Sequence, residues 1–242
     1  MISGYELAPS QKYYEFYDGS DSNHPLPFVD LRDIDNNGVV GHLDYWKLKT
    51  LLFNLGYNTA LFTPSEAFHN LDNNLSNTNG VDVSIIVGSG NATLGQIIES
   101  SENNFFGQKV AKTDIRYING DGTVPLFSAS LTDATRSIAG NAKIYYTKQS
   151  HPDLVFNGAG MNLVKNILAD DNSIPSGISN QPFYFQGNAL SVHSPVLIHA
   201  YDENNNHTGP LPNGDFEANI PGSNYEVLGE AKIYLASRRW EI

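Results

Sequence analysis

Between residues 81 and 168 short β-branched runs alternate with stretches of helical spacing, and no other feature limits the possible folds as strongly. The runs are 81–87 (VDVSIIV), closed by Gly88-Ser89-Gly90, then 114–118 (DIRYI) and 142–148 (AKIYYTK). Between the last two, residues 125–137 are long enough for a helical crossover, and residues 158–168 carry the apolar spacing of a further helix. Strands joined through helices predict a parallel sheet, hence an α/β fold.

The flanks follow different rules. Residues 1–32 are rich in aromatics and turn formers without a sustained period, which predicts an irregular segment packed over something else. In 45–55 (YWKLKTLLFNL) Trp46, Leu48, Leu51, Leu52 and Leu55 recur at helical spacing, and Gly56 supplies a C-cap. A second helix is expected over 65–71 after Pro64. Residues 173–180 (SIPSGISN) read as a linker. Beyond it the chain turns β-rich. In 191–201 Val192, Val196, Ile198 and Ala200 share one parity, which predicts a half-buried strand. Turn clusters then separate short runs as far as 231–236 (AKIYLA). Two units are therefore expected: 1–172, and a small antiparallel β-sandwich module over 181–242, similar in type to modules appended to some bacterial extracellular proteins.

Composition removes several functions. With 14 Lys and Arg against 26 Asp and Glu the formal charge is -12, so there is no basic footprint for nucleic acid. The absence of cysteine excludes disulfides, thiolate metal sites and a thiol nucleophile. No run approaches the roughly 18 apolar residues of a membrane span, and Met1 to Ser10 lack the basic and apolar regions of a secretion signal. A soluble chain is expected, with its location left open between the cell surface and the exterior.

The sharpest chemical signal is Asn119-Gly120-Asp121-Gly122-Thr123-Val124-Pro125, directly after one predicted strand, with Ser150-His151 directly after the next. Acid then histidine on successive strand-end loops is the order of the last two triad members in α/β-hydrolases. A carboxylate fixes the imidazole tautomer, and the imidazole takes a proton from a serine hydroxyl. Glycines at 120 and 122, with Thr123, allow a tight loop around the acid. The competing reading is an ordinary Asp-Gly turn and a surface histidine.

Beyond spacing, GDGTVPLFSAS (120–130) and HPDLVFNGAGMNLVKNIL (151–168) closely resemble the Asp and His regions of the lecithin:cholesterol acyltransferase family of lipases and acyltransferases. LAPSQKYYE (7–15) and IIVGSGNATLG (85–95) resemble two further stretches of that family, in the same order. The resemblance implies an α/β-hydrolase fold, with Asp121 as triad acid, His151 as general base and no catalytic cofactor. It also exposes a departure: the chain contains no Gly-x-Ser-x-Gly pentapeptide to present the nucleophile. Ser89 in Val-Gly-Ser-Gly-Asn follows a strand, but its loop corresponds to the one before the acid, and its second glycine comes one place early. The expectation is the C-terminal portion of a truncated enzyme, whose partner is a missing N-terminal half bearing the serine.

A second candidate site is the run from Asp33 to Asp44, where Asp33, Asp35, Asn37, Val39 and Asp44 stand at calcium-loop positions 1, 3, 5, 7 and 12, with Gly38 at 6. No convincing helix enters it, and a solvated Asn-Gly turn competes with it. His69 is expected to be a helical structural residue, and His193 and His199 stand too far apart on one strand to ligate together. His24, His42 and His207 fall in polar loops without a role. The reading is thus a lipid-acting serine hydrolase or O-acyltransferase portion on a partial α/β-hydrolase fold, followed by a β-sandwich. The alternative is a secreted binding or adhesion protein with a decayed hydrolase part.

Overall fold

In a computed structural model of the chain, the residues described are 11, 14, 29–30, 44–72, 79–103, 105–130, 142–156, 158–192, 196–228 and 231–237. They form a mixed, mostly β architecture with four three-stranded sheets. The first sheet contains β2 (Ser84–Gly88) and β5 (Lys143–Thr147) as parallel neighbours, with the two-residue β6 (Ile178–Ser179) antiparallel to β5. A second joins β3 (Asn91–Asn103) and β4 (Lys109–Gly120) as one long antiparallel hairpin, with β1 (Val29–Asp30) parallel to β3.

This pairing corrects the expectation that residues 114–118 form a strand of the parallel sheet. They belong to β4, which returns antiparallel along β3. The run Val110 to Ile118 has a partner of equal length already in place across a five-residue connection, so hairpin closure wins over a crossover. Of the predicted runs, β2 and β5 keep the parallel alternation, with α3 (Leu126–Ser130) inside the expected crossover.

Upstream, α1 (Tyr45–Asn54) and α2 (Phe62–Asp72) form a helix pair. Asp44 caps α1, its carboxylate accepting from the Lys47 amide at 2.8 Å. At the other end Gly56 takes a φ of 81° while the Tyr57 amide donates to Leu52 and the Gly56 amide to Phe53, a Schellman ending. The inward face is Tyr45, Leu48 and Leu51; Trp46 and Leu55, expected on it, are exposed. Tyr45 takes the inward place because its ring packs edge-on to Phe62 while its hydroxyl donates to Glu66, and Trp46 is rotated about 100° away. Lys49 bonds the same Glu66 oxygen at 2.7 Å, and these contacts hold the Glu66 carboxyl below its usual range.

Downstream of β5 come α4 (Asp153–Phe156) and α5 (Gly158–Leu168), the latter spanning the expected residues. The predicted linker 173–180 is instead built into the sheet through β6, because Ile178 and Ser179 pair with Thr147 and Tyr146. The C-terminal strands are β7 (Gly187–Val192), β8 (Ala200–Tyr201), β9 (His207–Pro210), β10 (Phe216–Ala218), β11 (Ser223–Leu228) and β12 (Ala231–Ser237). They form the antiparallel sheets β7-β12-β11 and β8-β9-β10. Residues 191–201 are not one strand: β7 stops at Val192, and 196–199 are irregular, with Ile198 buried and Val196 exposed. Among the described residues no helix is long and apolar enough to cross a membrane.

The C-terminal sheet is fastened to the hairpin. Buried Ile233 and Leu235 of β12 pack against Ala92, Ile115 and Tyr117, and the Tyr117 hydroxyl donates to Glu226 of β11 at 2.6 Å. Burial, then the hydrogen bond and charge of Glu226, push the Tyr117 phenol far above its ordinary range, and burial and Glu66 do the same to Tyr45. An unfolded tyrosine releases its proton near pH 10 while these two keep theirs, so the unfolded chain binds fewer protons and stability falls as pH rises. Urea midpoints are expected to drop between about pH 9 and about pH 11, and less so in Tyr117→Phe, which itself costs about 1 kcal/mol at neutral pH. Equal alkaline slopes in both proteins would show that the contact is not formed.

Candidate active site

Asp121 lies at the end of β4 and His151 four residues after β5, and the fold brings the two loops together. The His151 Nδ1 is 2.9 Å from Asp121 Oδ2. The other carboxylate oxygen, Oδ1, accepts from the backbone amides of Thr123 at 2.9 Å and Val124 at 2.7 Å. The main chain of the two residues is joined as well, the His151 amide donating to the Asp121 carbonyl at 3.0 Å. Asp121 is 3% exposed, whereas the His151 side chain is 49% exposed. A buried carboxylate with all its oxygens in use therefore orients a histidine that still faces solvent.

The residues around the acid hold it in place. Gly122, at a φ of 95°, turns the chain so that its amide donates to Thr93 Oγ1 at 2.9 Å. Gly120 packs against Thr93 and the Val124 carbonyl with no room for a side chain. Gly88, the last residue of β2, lies so close that a Cβ there would stand 2.5 Å from the Asp121 Cβ and 2.9 Å from the Gln149 carbonyl. Asp121 thus sits against the C-terminal end of β2 although 32 residues separate β2 from it. Since β2 and β5 are parallel neighbours, the loops bearing Asp121 and His151 emerge at the same end of the sheet.

Sequence reasoning missed three contributors. Buried Asn119 accepts from the Gly90 amide at 2.7 Å and the Phe185 amide at 3.2 Å, and donates to the Phe183 carbonyl at 2.7 Å, fastening the 183–185 segment to the strand ends. Thr93 anchors Gly122, and Gly88 permits the close approach of the acid. Asn119 opens the acid motif and Gly88 and Thr93 lie in the 85–95 stretch, but nothing in either motif points to these contacts. Gln149 links the histidine loop to the helices, accepting from the Gly160 amide and donating to the Asp153 carbonyl. A cavity of about 680 Å³ opens beside the loop, lined by Asn91, Lys148, Gln149, Ser150, Asp153 and Phe183 among others.

Other candidates fare differently. Ser89 is fully buried and its hydroxyl accepts from the Phe183 amide at 3.1 Å, which gives it a structural task. Of the calcium-loop run, Asp33, Asp35, Asn37 and Val39 lie outside the described residues, and Asp44 is engaged as the cap of α1. Among the described residues no group of three or more His, Asp or Glu is disposed to hold a metal ion. His24, His42 and His193 also lie outside them. His207, read as a loop residue without a role, begins β9 and links His199, just before β8, at 3.0 Å to Glu217 of β10 at 2.5 Å.

No protein-family model and no curated protein matches the chain. The site is therefore characterised by its own geometry. Gly88→Ala is expected to displace Asp121, lowering stability by about 1–3 kcal/mol and removing the downfield Nδ1 proton of His151 from the NMR spectrum. A retained proton with unchanged stability would mean that the contact of β2 with the acid loop is looser than described.

Proposed function

We propose that the chain supplies the acid and base of a lipid-acting serine hydrolase or O-acyltransferase, on a partial α/β-hydrolase fold, with the serine carried by polypeptide outside these 242 residues. The observation that supports this most is the Asp121 and His151 pair: a buried, amide-held carboxylate at 2.9 Å from Nδ1 of a half-exposed imidazole. A turn aspartate and a surface histidine have no need of that arrangement. The family resemblance of the surrounding residues supplies the substrate class.

The chemistry follows from the pair. Asp121 accepts a hydrogen bond from Nδ1–H, which keeps the proton on Nδ1 and leaves the Nε2 lone pair to remove a proton from a serine hydroxyl. The serine oxygen bonds to the ester carbonyl carbon, and the imidazolium beside Asp121 then returns its proton to the departing alcohol. Water or a second alcohol, deprotonated by the same Nε2, bonds to the acyl carbon as the serine oxygen departs, and the imidazolium returns its proton to that oxygen. Asp121 remains ionised throughout, its charge countering the imidazolium.

The isolated chain is expected to turn over no p-nitrophenyl ester, since base and acid lack the attacking group. Co-expressed with the sequence encoded directly upstream of Met1, it is expected to hydrolyse such esters. Asp121→Asn should then lower kcat by about 10⁴, because Oδ1 must keep accepting from two backbone amides and the side-chain amide NH2 would donate to Nδ1, imposing the wrong tautomer. An upstream sequence without a Gly-x-Ser-x-Gly elbow, or turnover that survives His151→Ala, would overturn the proposal.

A further inference from the structure

The hairpin β3-β4 ends in a turn occupied by Phe105 and Phe106, which are 97% and 82% exposed. Their rings meet edge to face with centroids 5.6 Å apart. Such turns ordinarily take Gly, Asn or Asp, for conformational freedom and for solubility. Gly107, at a φ of 74°, already supplies the left-handed position, so the turn itself does not require two phenylalanines. Strand β4 has 12 residues, which puts the rings about 40 Å along the hairpin from Asp121.

What covers these rings must be apolar, and its kind is limited by area and charge. Two phenylalanines offer about 300–500 Å², short of the roughly 800 Å² per partner of a stable protein interface. A lipid interface needs no shape complementarity and admits a small wedge. Headgroup electrostatics act only within a Debye length, and the sequence flanking the tip, Glu99 and Glu102 against Lys109 and Lys112, is charge-balanced, which suits a zwitterionic surface.

We propose that the hairpin tip is a membrane anchor that inserts Phe105 and Phe106 into a zwitterionic phospholipid interface. It rests on the lipid reading above only in the choice of a lipid phase, and it holds or fails without any catalysis. The wedge is small, so binding is weak and reversible.

The experiment is sedimentation of the full chain with phosphatidylcholine vesicles at millimolar lipid. The expected result is partition of the chain into the vesicle pellet, reduced at least tenfold in Phe105→Ser/Phe106→Ser, with an unchanged circular dichroism melting curve. Phe105→Trp should retain binding, and its fluorescence should be quenched by brominated lipid, which tests the tip without removing apolar surface. His151→Ala should bind as well as the parent chain, so a failed catalytic reading leaves this result standing. Absent binding, equal binding of the serine variant, or a self-association of the parent chain that the serine variant loses would each overturn the proposal, the last by making a second copy the occupant.

Discussion

The contact between Gly88 and Asp121 is the constraint on which the rest of the site depends. A hydrogen at position 88 allows the acid loop to press against the end of β2, and the parallel pairing of β2 with β5 then fixes where the histidine loop must emerge. With the carbonyl of Asp121 bonded to the amide of His151 and the carboxylate bonded to the ring, backbone and side chain define the same geometry twice. A pair held in this way has little freedom to leave productive distance, which is what positioned acid-base chemistry demands. Two backbone amides on Oδ1 give the buried carboxylate the hydrogen bonds that burial would otherwise deny it.

How much of this was legible in the sequence differs by element, for physical reasons. Helix α5 was readable to the residue because its apolar stripe is a local signal and Gly158, at a φ of 80°, marks its start. The Asp121 and His151 pair was readable because its loops carry strong local punctuation, Asn-Gly-Asp-Gly on one side and Ser-His-Pro on the other. The partnership of β4 was not. Nothing within DIRYI distinguishes a strand that continues a parallel sheet from one that returns along its predecessor, since pairing partner is a property of two segments and the connection between them. The contacts of Asn119 and Gly88 were invisible for the same reason: their partners are 29 residues or more away in the chain, and a turn-former in a turn-rich stretch gives no sign of them.

The C-terminal strands show a related limit. Alternating parity in 191–201 suggested one strand, yet the chain divides there, with β7 joining the sheet that packs on the hairpin and β8 joining the sheet of His207 and Glu217. A period of two reports that alternate side chains face opposite ways, and it is silent on whether the backbone bends between them. The consequence is architectural, because the division lets Ile233 and Leu235 reach Ile115 and Tyr117 while the histidine and glutamate chain faces elsewhere.

The hairpin reconciles these observations. Its base is part of the site, since Thr93 holds Gly122 and Asn119 holds the Gly90 and Phe183 backbones, whereas its middle is gripped by the C-terminal sheet through Tyr117 and Ile115. An out-and-back excursion of antiparallel strands returns the chain to the point from which it left, so the acid can follow β2 in space while following β4 in sequence. Length added to such a hairpin lengthens both strands equally and moves neither end. That freedom explains how the distal turn can carry two solvent-facing phenylalanines about 40 Å away without disturbing a carboxylate whose position tolerates no added methyl group beside it.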